Sequence, residues 1–249
     1  MAISQSALKE EFNPIQKLYK WVKFKYNFWK ENPFYFIPDG LVCFVGPQGS
    51  GKTLSAVNYV YNLMKRYPNC LLVTNLHLRD YWVDNKRVFY FKDNDDLSKY
   101  KNTDKGVIFL IDEIQLYMNS LQSKNINMDV MTQISQQRKQ RIHIVCTSQV
   151  FGRMAKPLRE QFSNVVYCRN YFGFLQKNQL LDRDSIDEEN SNDTTLTGKV
   201  KHTAWFIHTP DYYDRYDTYC VIEKNKFVSE DEKGVSIYDT INNRLASYN

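Results

Sequence analysis

The chain has 249 residues, 43% of them hydrophobic and 24% charged, with a net charge of +5. That composition suits one α/β domain with room for a sizeable core, and the mild basic excess permits a nucleic-acid partner without establishing one. No stretch of about 18 apolar residues is present and the N-terminus lacks an apolar signal core, so the expectation is a chain without a transmembrane helix, located in the cytoplasm.

In residues 1–38, Ile15, Leu18, Tyr19, Val22, Tyr26 and Trp29 recur at helical spacing. Lys17, Lys20, Lys23, Lys25 and Lys30 fill other positions, so the segment predicts a basic amphipathic helix ending before Pro33. Such a helix either packs across the core or docks on a membrane surface, a partner subunit or nucleic acid. From residue 41 strands and helices alternate. Leu41–Val45 is an apolar strand, Lys52–Lys65 a helix, Cys70–Thr74 a second apolar run and Arg87–Phe91 an edge strand. Val107–Ile111, Ile142–Thr147 and Val165–Cys168 complete the set of strands, with a helical region through Gln140. Strands unbroken by polar residues are buried on both faces, which marks a parallel sheet covered by helices on both sides. Residues 182–198 are polar and acidic, most of all 187–193, and read as a surface loop; Ala204–His208 and Thr218–Ile222 read as strands of a β-rich extension. The expected division is a docking helix or lid at 1–38, a core at 39–181 and an extension at 182–249. The five cysteines (Cys43, Cys70, Cys146, Cys168, Cys220) form no CxxC pair, and the four histidines show no metal-ligand spacing. They read as reduced, buried thiols and structural imidazoles.

Three strand ends carry chemistry. Gly46-Pro47-Gln48-Gly49-Ser50-Gly51-Lys52-Thr53 follows an apolar strand and opens a helix, the context in which GxxxxGK[ST] cradles phosphates with backbone N–H groups. Lys52 is expected on the β- and γ-phosphates of ATP and Thr53 on Mg²⁺. Asp112-Glu113 ends the strand Val107–Ile111, where a carboxylate anchors Mg²⁺ (Asp112) and a second polarises the attacking water as general base (Glu113). Thr147-Ser148-Gln149 ends another buried strand, placing Gln149 to sense the γ-phosphate and orient the water.

These pieces resemble the zonula occludens toxin-like ATPases of filamentous-phage assembly, within the wider FtsK–HerA group of DNA translocases. The matching segments are Gly46–Thr53, Ile111–Gln115, Ser135–Arg141 leading to Thr147–Gln149, Lys156–Gln161 and the tyrosine-rich Tyr213–Thr218, within residues 38–222. The resemblance implies a RecA/FtsK-like P-loop fold and a homo-oligomeric ring. It also implies a catalytic arginine supplied by the neighbouring subunit, with Arg138 and Arg141 ranked above Arg159. Relatives carry a transmembrane helix after the ATPase domain, and this sequence has none, which moves the expectation from phage extrusion toward a viral packaging motor on double-stranded DNA. Its docking partner would be a capsid portal or a membrane-associated assembly protein. Single-stranded extrusion or conjugative transfer is the near alternative, a nucleotide kinase or a non-hydrolysing scaffold the distant ones. Lys124, in the loop Asn119–Asn125, is a candidate DNA contact.

Overall fold

Apolar runs in which every side chain is buried account for the centre of the molecule. In the computed structural model β1 (Leu41–Val45), β4 (Val107–Ile111) and β5 (Ile142–Ser148) are buried at every position. Residues 14–79, 85–91, 105–117, 141–186 and 196–217 are described. The chain divides into two units, Met1–Tyr35 and Phe36–Asn249.

The first unit contains α1 (Pro14–Glu31), which has five lysines, one carboxylate at Glu31 and no buried residue. It ends where Asn32 turns back, donating from Nδ2 to the Phe28 carbonyl at 3.0 Å, one residue before Pro33, which cannot continue the helix. Phe28 packs edge-on against Trp29 and Tyr35 at 5.5 and 4.9 Å between ring centroids.

The second unit is built on one eight-stranded sheet. With β2 (Leu71–Thr74), β3 (Val88–Tyr90), β6 (Phe162–Tyr171), β7 (Leu175–Leu181) and β8 (Val200–Ile207), the order is β3-β2-β4-β5-β1-β6-β7-β8. The first six strands run parallel and the last two pair antiparallel, so the fold is a mostly parallel α/β sheet with flanking helices. Alternation of side chains sends Val42, Phe44, Ile108, Leu110 and Val145 to one face and Leu41, Cys43, Phe109, Ile144 and Cys146 to the other. On the first face α2 (Lys52–Arg66) buries Leu54, Val57, Val60 and Met64. On the second face Phe151, Met154 and Leu158, at and before α3 (Lys156–Arg159), close the core. Neither layer is dispensable, because each covers apolar residues of the same strands.

Two expectations change here. Leu175–Leu181, not assigned from sequence, is β7; its leucines sit only at the ends, and Gln176, Lys177, Asn178 and Gln179 give no apolar run to detect. Ala204–His208, expected in a separate extension, falls largely within β8, which the same sheet incorporates as its outer strand. The strand expected at Thr218–Ile222, the acidic segment 187–193 and Cys220 lie outside the described residues. So do Lys124 and Arg138. The other four cysteines are buried free thiols. Among the described residues no helix is long and apolar enough to cross a membrane, and no cluster of His, Cys, Asp or Glu groups forms a ready-made metal cage.

Candidate nucleotide site

Because β1, β2, β4 and β5 are parallel, the residues that follow them gather on one edge of the sheet, where open α/β folds place ligand sites. β1 leads into the loop Gly46–Gly51, and α2 begins at Lys52. Gly51 has φ +77, and a Cβ there would stand 2.1 Å from Gln176 Oε1, so neither the backbone angle nor the space admits a side chain. Lys52 is buried and its Nζ donates to the Pro47 carbonyl at 3.1 Å, folding the ammonium over the loop.

Asp112, at the tip of β4, is held on all sides. Its Oδ1 accepts from Thr53 Oγ1 at 2.9 Å and from Thr147 Oγ1 at 2.6 Å, tying the start of α2 to the ends of β4 and β5. Its backbone is clasped by Asn75 from the tip of β2: the Asp112 N–H donates to Asn75 Oδ1 at 2.8 Å, and Asn75 Nδ2 donates to the Asp112 carbonyl at 2.9 Å. Burial pushes the Asp112 carboxyl above the usual carboxylate range, with the Thr147 and Thr53 hydrogen bonds pulling the other way. A carboxylate and a hydroxyl form the oxygen-only donor pair suited to Mg²⁺ that shares its remaining positions with phosphate and water.

Glu113 follows in the left-handed region, φ 53 and ψ 52, a conformation a non-glycine residue holds only when its surroundings fix it. Those surroundings are visible. The Glu113 N–H donates to Thr147 Oγ1 at 2.9 Å, Gln149 Nε2 donates to Glu113 Oε1 at 3.1 Å, and Gln115 Nε2 contacts Oε2. The twist turns the carboxylate toward Gln149, so these two predicted residues form one unit with Asp112 and Thr53.

A cavity of about 230 Å³ adjoins the loop, lined by Lys52, Thr53, Asn170, His208, Tyr213 and Tyr216 among others. Its far wall comes from the antiparallel strands and α4 (Pro210–Tyr213). Gln176, fully buried on β7, donates to the Ser50 carbonyl at 2.9 Å, and its Oε1 lies 3.2 Å from His208 Nε2. Because Gln176 Nε2 is occupied with Ser50 and Asn178, Oε1 must accept, which makes His208 Nε2 the donor and Nδ1 the acceptor of the Tyr213 hydroxyl at 2.7 Å. Burial lowers the His208 pKa, consistent with that neutral ring. Among the described residues three buried side-chain oxygens have no hydrogen-bond partner: Ser50 Oγ in the loop, Asn170 Oδ1 in the cavity wall and Gln115 Oε1 beside Glu113. Buried acceptors and hydroxyls left in this state fit a ligand that supplies partners.

The sheet does not bring the predicted arginines here. Arg141 directly precedes β5, and its carbonyl accepts from Val107 N–H at 3.0 Å, which puts it at the opposite edge of the sheet. Arg159 ends α3 just before the start of β6, also at that edge, and its carbonyl accepts from Arg183. Asn75, Thr147, Asn170, Gln176 and His208 were not assigned roles from sequence. Asn75 had a usable signal, since it follows the apolar run ending at Thr74 just as Asp112 follows Ile111.

The site and sheet define the class: a P-loop NTPase fold. The model of the zonular occludens toxin (Zot) family matches residues 40–217, and the chain belongs to that family. Among solved structures, the ATPase domain of G40P superposes with a TM-score of 0.51 at 14% identity, covering 83% of this chain and 99% of that one. The N-terminal domain of zonular occludens toxin from Neisseria meningitidis is 16% identical with a TM-score of 0.46, covering 72% and 99%. The genome packaging NTPase B204 from Sulfolobus turreted icosahedral virus 2, in complex with ATP-gammaS, is 15% identical with a TM-score of 0.44, covering 70% and 98%. No curated protein matches the chain in sequence.

Proposed function

We propose that this chain hydrolyses ATP and couples the reaction to movement of DNA in virus or phage assembly, with genome packaging as the leading role. The observation that carries hydrolysis is the coupled pair Glu113–Gln149 beside the Thr53–Asp112 pair at the phosphate-loop edge. A protein that only stored nucleotide would have no use for a carboxylate turned out by a left-handed backbone and aimed by two amides.

In this scheme the backbone N–H groups of Gly46–Gly51 and the N-terminus of α2 receive the phosphates. Lys52 leaves the Pro47 carbonyl for the β- and γ-oxygens. Thr53 and Asp112 would hold Mg²⁺, which neutralises charge on the phosphate oxygens when bound. Glu113 accepts the proton of the attacking water, and Gln149 fixes both that carboxylate and the water's line of approach. The nucleoside half occupies the cavity of about 230 Å³, where Asn170 Oδ1 accepts a hydrogen bond from it and Tyr213 lies alongside. The Zot family match and the ATPase names among the structural neighbours support nucleotide turnover. A homo-oligomeric ring completes each site in trans with Arg138, Arg141 or Arg159; the position of the last two at the far edge leaves them no role in their own subunit's site.

The test is ATP turnover with and without DNA, beside a sizing measurement. An oligomer with DNA-stimulated hydrolysis supports the motor. A monomer indifferent to DNA contradicts it while leaving the nucleotide site standing.

A further inference from the structure

The face of β6, β7 and β8 turned away from α2 carries residues that the nucleotide site does not use. Strand pairing aligns Arg169, Lys177 and Trp205 in one row across the three strands. Tyr171, Leu175 and Ile207 form the next row toward the phosphate-loop edge, and Tyr167, Gln179 and Thr203 the row behind. Residues two apart along a strand share a face, so all three rows point the same way. Tyr171 stacks on Trp205, with ring centroids 5.9 Å apart and planes 30° from parallel. Lys177 Nζ lies 5.3 Å from the Trp205 centroid, and the Arg169 guanidinium 5.1 Å from that of Tyr167. Trp205 is 53% exposed although it is the largest side chain on the strand. At the tip of the β6–β7 hairpin Phe172 and Phe174 are also exposed and stacked on each other.

Charge selects the partner. The three strands contain Arg169, Lys177, Lys201 and His202 and no carboxylate at all. Lys201 pairs with Asp182 at 2.9 Å, which leaves Arg169 and Lys177 as the cations flanking the aromatic pair. A second copy of this face would meet it cation to cation, so self-association through it is disfavoured. A polyanion with flat apolar rings meets both requirements. In a duplex those rings are already stacked on one another, whereas a single strand has them free.

We infer that this face is a platform for single-stranded nucleic acid, with Trp205 and Tyr171 stacking on bases and Arg169 and Lys177 contacting phosphates. It rests on the proposed DNA motor and names its substrate class and grip. Stacking is indifferent to base identity, as a translocase requires. The rows also lie on the strands whose Gln176 touches the phosphate loop from the opposite face, so strand contact and nucleotide loop share one rigid support.

The experiment is fluorescence anisotropy of a labelled 20-mer of thymidylate, single-stranded or annealed to its complement, with the full chain. The wild type binds the single strand more tightly than the duplex. Trp205→Ala and Tyr171→Ala each weaken binding about tenfold, and Trp205→Phe recovers most of the loss. Arg169→Gln with Lys177→Gln flattens the dependence of log K on log salt by about 0.7 for each phosphate contact removed. ATP turnover without DNA stays at the wild-type rate in all of them. Variants that bind the single strand like the wild type overturn the platform, and so does Trp205→Ala altering the oligomeric state with affinity intact. If the wild type neither binds DNA nor responds to it in turnover, the motor itself has failed; if it does both and the variants do too, only this face has.

Discussion

The two halves of the sheet solve different problems. Strands β1, β2, β4 and β5 are covered on both faces, and apart from His143 near the start of β5 their polar residues appear only where they end. Strands β7 and β8 are polar or exposed along most of their length, and beyond Leu181 they contribute little to the core. The parallel half can therefore hold Asp112, Glu113, Thr147 and Gln149 rigidly, since each stands at or just past the end of a strand that cannot shift without opening the core. The antiparallel half reaches back to that site through Gln176 and His208 with one face and presents aromatic and cationic groups with the other.

The sharpest way to break this contrast is to remove the cation at the loop. Lys52→Ala should reduce ATP turnover by about 10²–10³-fold or more, from loss of preorganised charge on the phosphates, while chemical denaturation changes little. A colourimetric phosphate-release assay beside urea unfolding decides it. Stability separates the halves next. Leu110→Ala, in the fully buried β4, should cost about 2–5 kcal/mol, whereas Thr203→Ala on β8 should stay within about 0.5 kcal/mol; equal losses would mean the outer strands are as firmly packed as the inner ones.

The parallel half also carries a hidden acid sensitivity. His143 on β5 is buried between the Gly40 carbonyl at 2.9 Å and the Tyr59 hydroxyl at 3.2 Å. Burial lowers its pKa to about 4. The unfolded chain takes up this proton near pH 6.5, so between 6.5 and 4 the unfolded state binds more protons and stability falls as pH falls. The loss approaches about 3 kcal/mol near pH 4, and His143→Gln should flatten that part of the profile in pH-dependent melting. The smallest effect concerns Asn75. Removing its clasp with Asn75→Ala should lower kcat about tenfold, the loss of roughly one or two hydrogen bonds that position Asp112, with KM for ATP nearly unchanged.

Legibility in the sequence followed the same division. Leu41–Val45, Val107–Ile111 and Ile142–Thr147 could be read because burial on both faces leaves a run that is apolar or, at His143, nearly so, and the residues at and past their ends could be read because such strands end at a shared edge. Glu113 and Gln149 were found that way. β7 could not be, because a strand with Gln, Lys and Asn at its centre looks like a loop until its neighbours are known. Gln176 touches Ser50 across 126 residues, and Asn170 and His208 meet the loop only through the register of three antiparallel strands, which no local pattern encodes. The arginines were ranked by analogy with ring motors, and the sheet direction puts Arg141 and Arg159 at the edge away from their own site.

The central claim is that Glu113 makes the phosphate-loop edge a site of hydrolysis. Glu113→Gln keeps the size of the side chain and one oxygen to accept from Gln149 or Gln115, but loses the second acceptor and cannot take up a proton. Measured side by side, ATP affinity should stay within about twofold of the wild type while turnover falls by about 10²–10⁴-fold. A Glu113→Gln protein that binds and hydrolyses ATP at the wild-type rate would contradict the account.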